Sequence, residues 1–304
     1  MNRMSVAKHL GGGIVASALL FGAVLPLRAE TITIQNFDDF ASFFKRSGYS
    51  IPKWKSGAQD VPPYTILDIP EEWRKKVAPD MPVAEKKKTF FRLSIPLAFV
   101  ANHHLREDRK KMTAIEKDHT AWQDLSSHDK KWLATQAEEY GLAKGEYDAA
   151  FWREIKKRMD IVPPSLIVAQ MVDESGWGTS RFAAEGNALF GQWSYKGGIK
   201  PKDQRKSKGN YSVAAFKTPL DSVRAYMLNL NSHDAYAGFR DRRASLRADG
   251  KAVTGPELVG TLIKYSERGE AYVRNIEGIM SSNNLPPLDH ARLADGKVMY
   301  LVLK

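Results

Sequence analysis

The sequence predicts a mostly helical α+β protein with one small β-hairpin lobe. Two observations carry that expectation. Apolar residues recur at helical spacing between residues 69 and 175 and again between 218 and 280. Between these stretches, residues 191–219 bring glycines, aromatics and a basic loop, with strand-like runs at their ends. With 304 residues, 43% of them hydrophobic, the chain can bury one large core or two small ones.

Residues 1–29 read as a signal peptide. Arg3 and Lys8 precede the uncharged run LGGGIVASALLFGAVLPL, and Ala29 suits the last position before cleavage. An uncleaved membrane anchor is the alternative, since that run is nearly long enough to span. Its four glycines and Pro26 favour cleavage after Ala29, which makes the protein periplasmic with no stable membrane insertion. Removing Arg3, Lys8 and Arg28 leaves +8 of the formal charge of +11. For an exported protein such a surplus points to anionic lipid, acidic glycan or wall polymer, and no nucleic-acid-binding module is present. There is no cysteine, so neither a disulfide framework nor a lipoprotein anchor is available.

Residues 30–63 read as an extended N-terminal arm, because SGYSIPKWKSGAQDVPP is rich in turn formers. Helices follow from IPEEWRKKV (69–77) onward. Pro96, inside the apolar run of 85–112, predicts a helix start or a kink there. Ser126 caps the helix of 126–142, and residues 146–160 carry Ala150, Phe151, Ile155 and Met159 at helical spacing. Within 191–219, YSVAAF is the clearest strand. Helices resume at 218–231, 255–265 and 270–280. The tail 291–304, with DGKVMYLVLK, has strand character but no evident place.

The stretch VPPSLIVAQMVDESGWGTSRFAAEGNALFGQW (162–193) holds the chemistry. Pro163 and Pro164 suit a helix start and Gly176 the residue just past its end. That helix is apolar nearly all round, as expected of a central core helix, yet ends in Asp173 and Glu174. Glu174 shares a face with Ile167, Gln170 and Met171, whereas Asp173 is rotated about a hundred degrees away. The negative end of the helix and apolar surroundings both raise a carboxyl pKa. A carboxyl group protonated near neutrality can donate to a leaving oxygen, as glycosidic cleavage requires. The plainer alternative is a solvated carboxylate paired with Arg181. Trp177 and Trp193 offer flat faces for sugar rings, or are buried aromatics.

QMVDESGWG (170–178) and NALFG (187–191) resemble the catalytic segment of the bacterial β-N-acetylglucosaminidase family that includes the flagellar muramidases, glycoside hydrolase family 73. FFRLSIPLAFVANHHL, with Asn102, TPLDSVRAYMLNLNSHDAYAGFRDRR and YSERGEAYVRNIEGIM resemble its Bax-like branch. The resemblance spans roughly residues 64–290. It implies a lysozyme-like domain with an N-terminal helical extension, cutting peptidoglycan glycan strands with Glu174 as general acid. It also implies an active-site tyrosine at Tyr265, with Asn187 and Phe190 shaping the cleft wall.

Two-carboxylate glycosidases need a second acid, and the resembled family carries it on the β lobe. Residues 191–216 contain one acid, Asp203, in KPKDQRKSK, where the neighbouring cations keep it ionised. It is the candidate base, or a charge on a hairpin tip. Glu185 and Glu267 are reserves, and the substrate's own 2-acetamido group can replace a protein base. A lytic transglycosylase on the same substrate and a catalytically weak wall-binding scaffold are the alternatives to hydrolysis. The basic residues Lys196, Lys200, Lys202, Arg205, Lys206 and Lys208 either hold acidic wall groups or are solvated. No cofactor is expected. Adjacent His103 and His104 point in different directions and no HExxH pattern occurs, so no metal is expected either.

Overall fold

The structure is a computed structural model and describes residues 30–49, 60–118, 122–142, 147–202 and 210–303. The signal-peptide reading of 1–29 and the candidate base Asp203 lie outside the described residues. The fold is α+β and mostly helical, as expected. Among the described residues no helix is long and apolar enough to cross a membrane.

The centre is helix α5 (Pro164–Ser175), defined by the local signals at its ends. Pro164 occupies its first turn, and Gly176 closes it in the left-handed conformation, φ 56°, donating to the Val172 carbonyl. Every α5 residue from Pro164 to Val172 is buried. It packs against α2 (Val83–Asp118), the short α9 (Gly255–Leu258) and α10 (Glu270–Ser282). Pro163 has no capping side chain, and a distant residue supplies the cap. Asp289 accepts from the Ser165 amide at 2.9 Å and from its hydroxyl at 2.6 Å, and also from the Gly255 amide at 2.8 Å. On α2, the buried Asn102 clamps the preceding loop. Its amide donates to the Val162 carbonyl at 2.8 Å and accepts from the Val162 amide at 3.2 Å.

Helix α2 continues through Pro96 instead of starting there. A proline has no N–H to give the carbonyl four residues back, here that of Arg92. The buried Tyr64 hydroxyl donates to that carbonyl at 2.7 Å and takes the missing bond's place. Helices α3 (Ser127–Glu139, capped by Ser126) and α4 (Ala149–Arg158) follow.

Residues 30–63, expected as an extended arm, hold ordered structure in their described part. Strand β1 (Thr31–Ile34) leads into helix α1 (Phe37–Arg46), which buries Phe40, Phe43 and Phe44; Tyr49 is buried just beyond it. Those rings gather on Tyr64 of strand β2 (Tyr64–Ile66), with centroids 5.5 to 6.3 Å away for Phe43, Phe44 and Tyr49. The tail also has a place. Its Met299–Leu303 forms β5, the middle strand of a parallel sheet ordered β1-β5-β2, with Thr31 opposite Tyr300 and Ile66 opposite Leu301.

The expected hairpin lobe is present and small. Strands β3 (Trp193–Ser194) and β4 (Ser212–Val213) pair antiparallel, Trp193 opposite Val213. Of YSVAAF only Ser212 and Val213 are strand, joined by a bridge from Val213 to Ile199. Helix α6 (Arg181–Gly186) precedes the hairpin, and α7 (Pro219–Ser232) and α8 (Ala237–Ala248) follow it.

Candidate active site

Glu174 stands at the last turn of α5, half-buried. Its carboxyl pKa is raised from 4.5 to about 7, first by burial and then by the negative charge of neighbouring Asp173. A hydrogen bond from Tyr272 and the Arg268 guanidinium pull in the other direction. The sequence argument named apolar surroundings and the helix end as causes. It had Asp173 as a bystander, yet Asp173 acts on Glu174 through its charge.

Behind Glu174 runs a chain of donors that the sequence reading did not contain. The Tyr226 hydroxyl donates to Gln170 Oε1. Gln170 Nε2 donates to the Tyr272 hydroxyl at 2.7 Å, and that hydroxyl donates to Glu174 Oε1 at 3.1 Å. The amide of Gln170 sets the direction, since its nitrogen can only donate and its oxygen can only accept. With Oε1 receiving from Tyr272, the acid proton of Glu174 belongs on Oε2. Gln170 shares the face of Glu174 on α5, so its membership follows from helical spacing. Tyr272, nearly a hundred residues further on, is found only from the fold.

Asp173 is committed elsewhere. It pairs with Arg268 and accepts from Asn275 Nδ2 at 2.7 Å. Arg268 also lies over the Tyr272 ring, 4.8 Å from its centroid, which fastens α10 to the end of α5.

Tyr265, carried over by resemblance, lies beside this chain. Its ring stacks on Tyr272 at 5.2 Å and 14°. It is only 6% exposed and, among the described residues, its hydroxyl has no hydrogen-bond partner, while the Glu174 charge raises its pKa further after burial. Tyr236 approaches the same group and is likewise raised, to about 12, mainly by burial. Glu174 is thus surrounded by phenols that remain protonated when it ionises.

The residues expected to bind sugar do other work. Asn187 is 7% exposed and its amide is consumed: Oδ1 accepts from the Ile69 amide at 3.0 Å, and Nδ2 faces Asp68 Oδ1 at 3.0 Å and the Phe216 and Lys217 carbonyls. It fastens three segments and has little left to offer a ligand. Phe190 is 1% exposed and stacks on Tyr226 at 4.0 Å and 7°, so it backs the donor chain from within the core. Trp177 is wedged edge-on between Phe90 and Phe91 of α2, at 5.6 and 5.4 Å, with Lys87 Nζ 5.0 Å from its centroid. Trp193 stacks on Tyr211 at 4.6 Å within the hairpin.

The glycines around Trp177 set the backbone geometry of the loop. Gly176, Trp177 and Gly178 have φ of 56°, 62° and 73°, three successive left-handed residues. A Cβ on Gly178 would sit 3.3 Å from Trp73 Nε1 and 3.4 Å from the Phe90 ring. Trp73 Nε1 donates to the Trp177 carbonyl at 3.3 Å, and the buried Ser175 hydroxyl accepts from the Gly178 amide at 2.8 Å. The loop after Glu174 is therefore locked. Of the reserve acids, Glu185 is paired with Arg181 at 2.9 Å, and Glu267 is exposed.

Comparison with known proteins follows this geometry. Residues 149–285 match the family model described as mannosyl-glycoprotein endo-beta-N-acetylglucosaminidase. The chain is 34% identical over 188 residues to Protein bax of Escherichia coli (strain K12), covering 62% of this chain and 66% of that one, just under two thirds of its length. No solved structure matches. The helix ending in Glu174 and the tyrosines around it all lie inside the matched span, so the glucosaminidase match over residues 149–285 takes in the whole candidate site, within a chain similar to Protein bax.

Proposed function

We propose that the protein is a peptidoglycan glycan-strand hydrolase of the β-N-acetylglucosaminidase type, assigned to glycoside hydrolase family 73, with Glu174 as general acid. The observation that carries this is the carboxyl raised to about 7 at the end of a buried donor chain. Glu174 passes its Oε2 proton to the glycosidic oxygen as the bond from that oxygen to the anomeric carbon breaks. The carboxylate left behind is held by the Tyr272 hydroxyl and by Arg268. The Tyr265 hydroxyl, which has no hydrogen-bond partner among the described residues, lies beside this chain, and its oxygen can steady the positive charge that develops at the anomeric centre. In this reading the enzyme is periplasmic, its leader cleaved after Ala29, and Asp203 on the hairpin activates the water.

Purified protein should release muropeptides from peptidoglycan, and Glu174→Gln should do so at least about a hundredfold more slowly. Equal digestion by the two proteins sinks the assignment. One observation favours a second reading: Asp173, the acid beside Glu174, is held by Arg268 and Asn275. If Asp203 does not reach the cleft, the substrate's acetamido group or 6-hydroxyl attacks in place of water. Anhydro-muramyl ends in the product masses identify lytic transglycosylation, and their absence leaves hydrolysis.

A further inference from the structure

We infer that a basic groove beside the locked loop binds carboxylates of the peptide stems that the glycan carries. The inference rests on the peptidoglycan reading above and adds a second point of recognition. The groove, about 460 Å³, is lined by Arg74, Lys75, Ala78, Pro79, Lys86 and Thr179. Thr179 lies five residues past Glu174, and its hydroxyl is bound to the Gly176 carbonyl at 2.6 Å.

The cations come from two elements fixed to the loop. Arg74 and Lys75 belong to a π-helical turn, Trp73–Val77. Such turns are uncommon, and they frequently occur at functional sites. The turn is tied to the loop by the Trp73 bond to the Trp177 carbonyl. Lys86 comes from the first turns of α2, and Lys87 beside it lies over the Trp177 ring. Lys75 pairs with Glu71 at 2.7 Å. Among the described residues neither Arg74 nor Lys86 forms an ion pair with a carboxylate, although the Arg74 charge is felt by Glu71, and both are half-buried. A guanidinium fork and an ammonium facing one concavity suit an anion with paired oxygens.

Both peptide carboxylates and phosphodiester wall polymers offer that chemistry. Thr179, which lines the groove, follows Glu174 by five residues on the same locked loop, and this favours the stem, because the stem travels on the strand being cut.

The test compares stem-bearing peptidoglycan with glycan strands stripped of peptide. The wild-type protein should show a KM about tenfold lower on the stem-bearing strands, a preference that added salt weakens. In Arg74→Ala/Lys86→Ala the ratio of the two KM values should fall toward one, and in Lys86→Glu below one. Lys251→Ala, remote and paired with Asp249, should keep the wild-type ratio. Equal KM values in the wild type, or an unchanged ratio in the double variant, overturn the inference.

If the wild type cleaves neither substrate, the hydrolase reading fails and calorimetry decides the groove by itself. A free stem tetrapeptide should then bind the wild type and bind the double variant about tenfold more weakly. Equal binding by the two proteins, or a preference for poly(glycerol phosphate) over the tetrapeptide, overturns the stem assignment.

Discussion

Glu174 holds its proton more tightly in the folded protein than its ordinary value of 4.5 allows, and two consequences have definite signs. The first is catalytic. A general acid works while protonated, so activity should fall as pH rises through about 7. Tyr272→Phe removes a bond that favours the carboxylate, which raises the Glu174 pKa and moves the alkaline limb upward. Asp173→Asn removes a like charge and releases Arg268, which moves the limb downward. A pH–rate profile of the three proteins checks both directions. The second consequence concerns stability. Because the folded pKa lies above the unfolded one, ionising Glu174 erodes stability as pH climbs from about 4.5 to about 7, and the full cost stands above that window. Glu174→Gln should therefore raise Tm most above pH 7 and least below pH 4.5. A Tm gain that does not vary with pH would contradict the raised pKa.

At the scale of elements, helix α5 was legible because its signals are local. The prolines at its start, the glycine after it and the acid on its Gln170 face all lie within a few residues of one another. Tyr272 and the capping Asp289 were not, since each meets α5 from about a hundred residues away and no periodicity encodes that meeting. Pro96 misled for the opposite reason. A local rule starts or kinks a helix there, but the helix continues through it and Tyr64 supplies the bond that the rule assumes is lost. Tyr64→Phe should leave the half-buried Arg92 carbonyl without this bond, lowering stability by about 1–3 kcal/mol in urea unfolding. Gly178→Ala should lower it by about 1–2 kcal/mol, from the left-handed backbone and from crowding against Phe90 and Trp73. In Asn187 and Phe190 the motif was read as cleft wall. The structure shows them fastening segments and backing Tyr226, roles that burial reveals and spacing does not.

For the whole molecule, two devices join distant parts. Fully buried Arg243 of α8 donates to the Lys157, Asp160 and Ile161 carbonyls and to Asn231 Oδ1, holding the approach to α5 against α7. Arg243→Ala would remove the guanidinium from the Lys157 and Ile161 carbonyls, leave the Asp160 carbonyl to Asn231 Nδ2 alone, and should cost about 3–5 kcal/mol in denaturant unfolding. The parallel sheet is the second device. Its pairing was invisible in the sequence because no local pattern sets the register of parallel strands separated by most of the chain. Each strand alone is only three to five residues. Leu301, buried at its centre, should cost about 2–5 kcal/mol on Leu301→Ala.

The sheet also sets an order of events. Strand β5 lies between β1 and β2, so neither of those earlier strands has its partner until residues 299–303 have reached the compartment where the chain folds. Helix α1 and the tyrosines it gathers must wait with them, while the helices around α5 have most of their contacts in hand. Folding should thus be biphasic, with the helical body closing first and the sheet acting as a late clasp. Until the clasp closes the chain exposes the edges of β1 and β2, and that interval is when it is most open to a chaperone or a protease.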